Sequence, residues 1–151
     1  MVVKAGWVTA MLHVGSVEAS IKFYELVGFK LIDFDGCGPL SWARLHCDDG
    51  SAIMLLRAEH DARIGPVIEP EKQGIMLILY TEDLPKLREQ LLGNGIKAPE
   101  IACPDFMPSG SLYLRDPDGY FVGINQWSDK EHQAWLKQLQ EKRAAGKLPS
   151  A

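Results

Sequence analysis

The sequence predicts a mixed α+β fold: two strand-helix-three-strand (βαβββ) modules followed by a C-terminal helix. Two internal echoes predict it. Asp49-Gly50-Ser51-Ala52-Ile53-Met54-Leu55 and Asp118-Gly119-Tyr120-Phe121-Val122-Gly123-Ile124 spell the same turn-then-strand element. Upstream of each, the interval from Val17 to Gly28-Phe29-Lys30 equals that from Leu84 to Gly95-Ile96-Lys97. Self-similarity at fixed spacing marks a duplicated unit.

In the first module, residues 7–12 are apolar and stop at Val14-Gly15-Ser16, where Ser16 reads as an N-cap ahead of Glu18. Val17, Ser20, Ile21 and Tyr24 recur at helical spacing, Val27 continues the stripe, and Gly28 ends it. Residues 29–32 read as a strand that the Asp35-Gly36-Cys37-Gly38-Pro39 cluster breaks. Strands at 41–47 and 52–56 follow, joined by the Asp48-Asp49-Gly50 turn. Residues 57–73, with Gly65, Pro66 and Pro70 among charges, read as a surface connector.

The second module opens on a buried-strand run at 75–80. Asp83 then caps a helix with Pro85 in its first turn and Leu84, Leu87 and Leu91 as its stripe, and Gly93-Asn94-Gly95 closes it. A stretch with Pro99, Pro104 and Pro108 leads to strands at 111–114 and 120–126, so this module is expected to repeat the order of the first. Ser128-Asp129-Lys130-Glu131 has capping-box spelling, and Trp135, Leu136 and Leu139 form the narrow stripe of a docked terminal helix. The expected division is one domain over 1–127, with modules at about 7–56 and 74–127, and a helix and tail over 128–151.

The chain has 151 residues, 46% hydrophobic and 24% charged, which suits a folded domain with its own core. A formal charge of -4 argues against a nucleic-acid partner, which needs clustered Lys and Arg. Cys37, Cys47 and Cys103 are odd in number and show no C-x-x-C pairing, so a reduced, cytoplasmic setting is expected. No run approaches the ~18 apolar residues of a membrane span, and no leader pattern opens the chain.

The module order, with Phe23-Tyr24 before Gly28-Phe29 and Arg115-Asp116-Pro117-Asp118-Gly119-Tyr120 near the end, resembles the vicinal-oxygen-chelate superfamily. Its members include glyoxalase I, extradiol dioxygenases and bleomycin-resistance proteins. The resemblance covers about 7–127. It implies that each module curls its sheet into half of a cup with helices outside. It also implies, for the metalloenzymes, a divalent ion held by four side chains, mostly His, Glu or Gln. Carried over by position, those slots are Thr9, Met54, Ile75 and Gly123: a hydroxyl, a thioether, a hydrocarbon and no side chain. First-row divalent ions favour imidazole and carboxylate, so no metal or other cofactor is expected and no catalytic residue is assigned. The resemblance is closest to the bleomycin-resistance branch, which implies a homodimer whose clefts sequester a flat or cationic drug.

Within such a cup, strand alternation assigns the faces. Ala43, Leu45, Ile53, Leu55, Leu112, Leu114, Val122 and Ile124 go to the core. Trp42, Arg44, His46, Met54, Tyr113, Arg115, Phe121 and Asn125 face inward, and Phe106, beside Met107, overhangs the mouth. These nine are the candidate ligand-binding residues. Trp42, Tyr113 and Phe121 would stack a planar ligand or simply fill the cup. Arg44 and Arg115 would need a carboxylate, from a ligand or from the protein, with Asp116 and Asp118 within reach of Arg115. Inward arginines favour an anionic ligand, whereas the overall charge favours a cationic one. Asp116-Pro117-Asp118-Gly119 reads as a structural turn, and His60 and His132 as exposed. The expected function is metal-free binding of an aromatic or amphipathic small molecule. One alternative is a metal-dependent lyase, isomerase or dioxygenase using His13 and His46 as substitute ligands, and another is an accessory domain that binds a protein.

Overall fold

The first module of the computed structural model, which describes residues 8–47, 50–60 and 74–146, follows the expected order. Strand β1 (Ala10–Val14) leads into helix α1 (Val17–Leu26), followed by β2 (Lys30–Asp35), β3 (Trp42–His46) and β4 (Ala52–Arg57). Ser16 caps α1, its hydroxyl accepting from the Ala19 N–H at 3.2 Å, and Gly28 takes a positive φ of 101° just beyond the helix. The strands form one sheet in the order β1-β4-β3-β2, with β1 parallel to β4 and the other pairs antiparallel.

The second module departs from the expected repeat. It runs β5 (Met76–Thr81), α2 (Leu84–Gly93), β6 (Ser111–Arg115) and β7 (Phe121–Gln126), in a sheet of order β5-β7-β6. The counterpart of β2 is reduced to a single bridge, Ala102 to Ser111. The cause is local: Pro99, Pro104 and Pro108 lack the N–H that a ladder needs. Asp83 caps α2 by accepting from the Lys86 N–H at 3.1 Å, as its sequence position predicts. Most of the connector, 61–73, lies outside the described residues.

Alternation places the core correctly. Ala43, Leu45, Ile53, Leu55, Leu112, Val122 and Ile124 are buried in one cluster with Val17, Phe23 and Tyr24 of α1 and Leu84 and Leu91 of α2. Helices therefore cover one face of each sheet and leave the other open.

The β6–β7 turn joins the modules. Asp116, buried, accepts from the Tyr24 hydroxyl at 2.8 Å and from the backbone N–H groups of Tyr120 and Asp118 at 2.9 and 3.0 Å. Asp118 accepts from the Gly15 N–H at 2.7 Å and from Ser20 Oγ at 3.1 Å. The Tyr120 hydroxyl accepts from the His13 N–H and donates to the His13 carbonyl. The turn is structural, as expected, and ties the second module to the first.

The terminal helix α3 (Asp129–Ala144) differs from expectation in having no buried residue. Ser128 caps it through the Glu131 N–H. The capping box is not completed, because Glu131 Oε1 instead accepts from Ser109 Oγ at 2.6 Å.

Candidate functional site

The open face of the first sheet is read directly from its register. Arg44 pairs with Met54 on one side and Asp33 on the other, and Met54 in turn pairs with Met11, giving a cross-strand row of Met11, Met54, Arg44 and Asp33. Flanking rows hold His13, Leu56, Trp42 and Asp35 on one side, and Ala52, His46 and Lys30 on the other. Trp42, Arg44, His46 and Met54 thus share one half-buried surface, as alternation predicts. The open face of the second sheet has matching rows: Ile78, Gly123 and Tyr113; Tyr80, Asn125 and Ser111; Met76, Phe121 and Arg115.

Polar atoms stand unpaired on both faces. Arg44 Nε and His46 Nε2 on the first, and Ser111 Oγ and Asn125 Oδ1 on the second, are out of water with no hydrogen-bond partner among the described residues. Ser111 is 0% exposed and Asn125 5%. A buried polar atom left unpaired costs about 1–3 kcal/mol, so these atoms favour any occupant that pairs with them. Arg115 behaves differently. Its Nη1 donates to the Gly119 carbonyl at 2.6 Å and its guanidinium lies 3.9 Å from the centroid of the Phe121 ring. The partner expected from Asp116 or Asp118 is this carbonyl, and Arg115 and Phe121 satisfy each other. Arg44 therefore remains the arginine with donor capacity toward a ligand.

The nine candidate residues fall into three groups. Trp42, Arg44, His46 and Met54 lie together on the first sheet, and Tyr113, Arg115, Phe121 and Asn125 on the second. Phe106 stands apart: 72% exposed, it lines a groove against α3. Sequence reasoning missed Ser111, although its place opposite Asn125 follows from the parity that selected Tyr113. It also missed Tyr80, whose cup-side position follows once β5 starts at Met76.

The residues do not fit a divalent ion. Of the four positions implied by the resemblance, Ile75 precedes β5 and shares its parity with Leu77 and Leu79, which pack against the core. A one-residue register difference moves a side chain to the opposite face. Met76 takes the open-face position and brings only a thioether. At Gly123 an added Cβ would lie 2.8 Å from Ile78 Cδ1 and 2.9 Å from Tyr113 Cε1, so a tyrosine ring and a methyl group fill the place of a ligand side chain. His13 and His46 cannot substitute. They pair with Leu56 and Ala52, at opposite ends of β4 and on either side of it. Strand geometry separates them by about 10 Å across the sheet and about 13 Å along it. Among the described residues, no three His, Cys, Asp or Glu side chains are grouped to hold an ion.

Comparison with known proteins agrees with this architecture. The sequence profile of the Glyoxalase/Bleomycin resistance protein/Dioxygenase superfamily matches residues 6–124. No curated protein sequence matches. Among solved structures, the chain is similar to TnmS3, an antibiotic-binding protein from Streptomyces sp. CB03234, with a TM-score of 0.64 and 20% identity over 85% of this chain and 100% of that one. It is similar to a bleomycin-binding protein complexed with bleomycin, with a TM-score of 0.57 and 21% identity over 82% and 100%. It is also similar to lactoylglutathione lyase from Agrobacterium tumefaciens, with a TM-score of 0.59 and 16% identity over 82% and 94%.

Proposed function

We propose, for a chain that belongs to the Glyoxalase/Bleomycin resistance protein/Dioxygenase superfamily, that it binds and sequesters an aromatic or amphipathic small molecule without a metal ion and without converting it. The observation that carries this reading is the unpaired set Arg44 Nε, His46 Nε2, Ser111 Oγ and Asn125 Oδ1, set in walls otherwise made of Trp42, Met54, Tyr113 and Leu56. Binding sites for small organic molecules have this composition, apolar with a few oriented polar groups. Trp42 supplies a face for stacking, and Arg44 and His46 beside it meet acceptor atoms on the ligand. The likeness to antibiotic-binding proteins points the same way, and makes an antibiotic the first ligand to try.

A second copy of the chain completes the cup in this reading. Met76 and Ile78 place apolar surface on the open side of β5, 46% and 42% exposed, and β5 is an edge strand. Exposed contiguous apolar surface marks an interaction site. A reducing cytoplasm suits three cysteines that no disulfide joins.

The test is a melting screen of bleomycin and other aromatic antibiotics, with the assembly measured by sedimentation. A ligand at 100 times its Kd adds ~2.7 kcal/mol to stability, which raises the Tm of a chain this size by several degrees. The expected sedimenting mass is twice the 16.8 kDa of one chain. No response to any compound, with a monomer in solution, contradicts the reading.

A further inference from the structure

We propose a second binding site, outside the cup, in which the start of α3 and the loop at 105–108 hold a planar, positively charged aromatic molecule. A groove of about 760 Å³ runs between these segments and includes Tyr80, Phe106, Trp127, His132 and Trp135 in its lining. Four of these rings form a continuous ladder. Tyr80 meets Trp127 edge-on with centroids 5.9 Å apart, Trp127 and His132 are tilted at 5.0 Å, and His132 and Trp135 at 5.7 Å. Phe106 faces the same groove and contributes the most exposed ring.

Trp135 is 52% exposed on a helix that buries nothing, so its ring does not serve the core. Large rings held in register and left in contact with solvent offer faces to a flat ligand.

Charge selects among flat ligands. Among the described residues, the groove is lined by the carboxylates of Asp105 and Glu131 and by no lysine or arginine. Asp129, in the first turn of α3, adds a third carboxylate that accepts from Trp127 Nε1 at 3.0 Å. The N-terminus of α3 contributes about half a positive charge and Lys130, in the same turn, one more, which three carboxylates outweigh. Indole faces attract cations in addition. The site therefore takes a cationic heteroaromatic ring and rejects a planar anion. It goes beyond the reading of the cup: only Tyr80, at the end of the open face of the second sheet, borders both, and Phe106, Trp127, His132 and Trp135 lie on the loop at 105–108, past the end of β7 and on α3, away from Trp42 and Arg44.

The test is calorimetric titration of the full chain with N-methylacridinium, with anthracene carboxylate and tetramethylammonium as controls. Saturable binding of acridinium is expected, with neither control binding as tightly. Trp135→Ala is expected to weaken it by ~5-fold or more, and Glu131→Gln to weaken it and reduce its salt dependence. Trp42→Ala is expected to leave it unchanged. Because no core packing depends on Trp135, a native circular dichroism spectrum is expected for its variant, and Phe106→Ala provides an independent second truncation. The proposal is overturned by unchanged affinity in both Trp135→Ala and Phe106→Ala, by equal binding of the planar anion, or by loss of binding in Trp42→Ala, which would place acridinium in the cup.

Discussion

Asp116→Ala is expected to destabilise the protein by about 3 kcal/mol, lowering Tm by about 10 °C. The substitution leaves the buried Tyr24 hydroxyl and the backbone N–H groups of Asp118 and Tyr120 without their acceptor. It also loosens the turn through which Asp118 and Tyr120 hold α1 and β1. Asp116→Asn keeps an acceptor oxygen and is expected to be far milder. Burial raises the Asp116 pKa, while the hydrogen bonds from Tyr24, Tyr120 and Asp118 act against the rise. The stability linked to this raised value is fully present below the ordinary 3.8 and is lost as pH rises from there through the raised value of the folded state. The ionised carboxylate is thus carried at a cost that its hydrogen bonds offset only in part. Burial and the neighbouring Asp116 also push the Tyr24 phenol well above its ordinary 10.0. The folded chain keeps a proton there that the unfolded chain releases, so stability falls as pH rises above 10, by about 1.4 kcal/mol per pH unit. Denaturant melts from pH 8 to 11 check this, and Tyr24→Phe is expected to flatten the decline. A slope unchanged by Tyr24→Phe, or an Asp116→Ala variant as stable as Asp116→Asn, contradicts the account of the junction.

Arg44→Met is expected to act in opposite directions on stability and on binding. In the free protein it removes a buried Nε that has no partner and substitutes an unbranched apolar chain beside Met54, so unfolding free energy is expected to rise by about 1 kcal/mol. Affinity for the ligand identified by the melting screen is expected to fall about tenfold or more, because a charge-assisted hydrogen bond is lost. Chemical denaturation and calorimetry measure the two effects on one preparation. A purely structural arginine gives the reverse result: lower stability and unchanged affinity.

Much of this was legible in the chain because strand parity is a local property. Ala43, Leu45, Ile53 and Leu55 could be assigned to the core, and Trp42, Arg44, His46 and Met54 to the opposite face, from alternation alone. The caps at Ser16, Asp83 and Ser128 were legible for the same reason, since a cap acts within one helical turn. Features that depend on distant partners were not. Arg115 looked available until the Gly119 carbonyl and the Phe121 ring were placed against it. Ile75 falls on the core side, not inward as the resemblance implies, because β5 begins one residue later, at Met76. His132 looked exposed, yet it lies between two indoles, one on its own helix and one at the end of β7. The prolines at 99, 104 and 108 were visible as punctuation, but the echo between modules suggested a strand there that their missing donors do not allow. Trp127, His132 and Trp135 are spaced as neighbours in sequence, whereas Tyr80 and Phe106 join them only through the fold.

The central claim is that the cup retains its ligand through Trp42, Arg44, His46 and Asn125 and needs no divalent ion. The most direct measurement is the affinity of chelator-stripped protein for that ligand, compared with protein supplied with zinc, manganese or nickel and checked by elemental analysis. Equal affinity in every case, with no stoichiometric metal, is the expected result. A first-row ion bound at one equivalent by native side chains, with ligand binding lost on stripping, would contradict it.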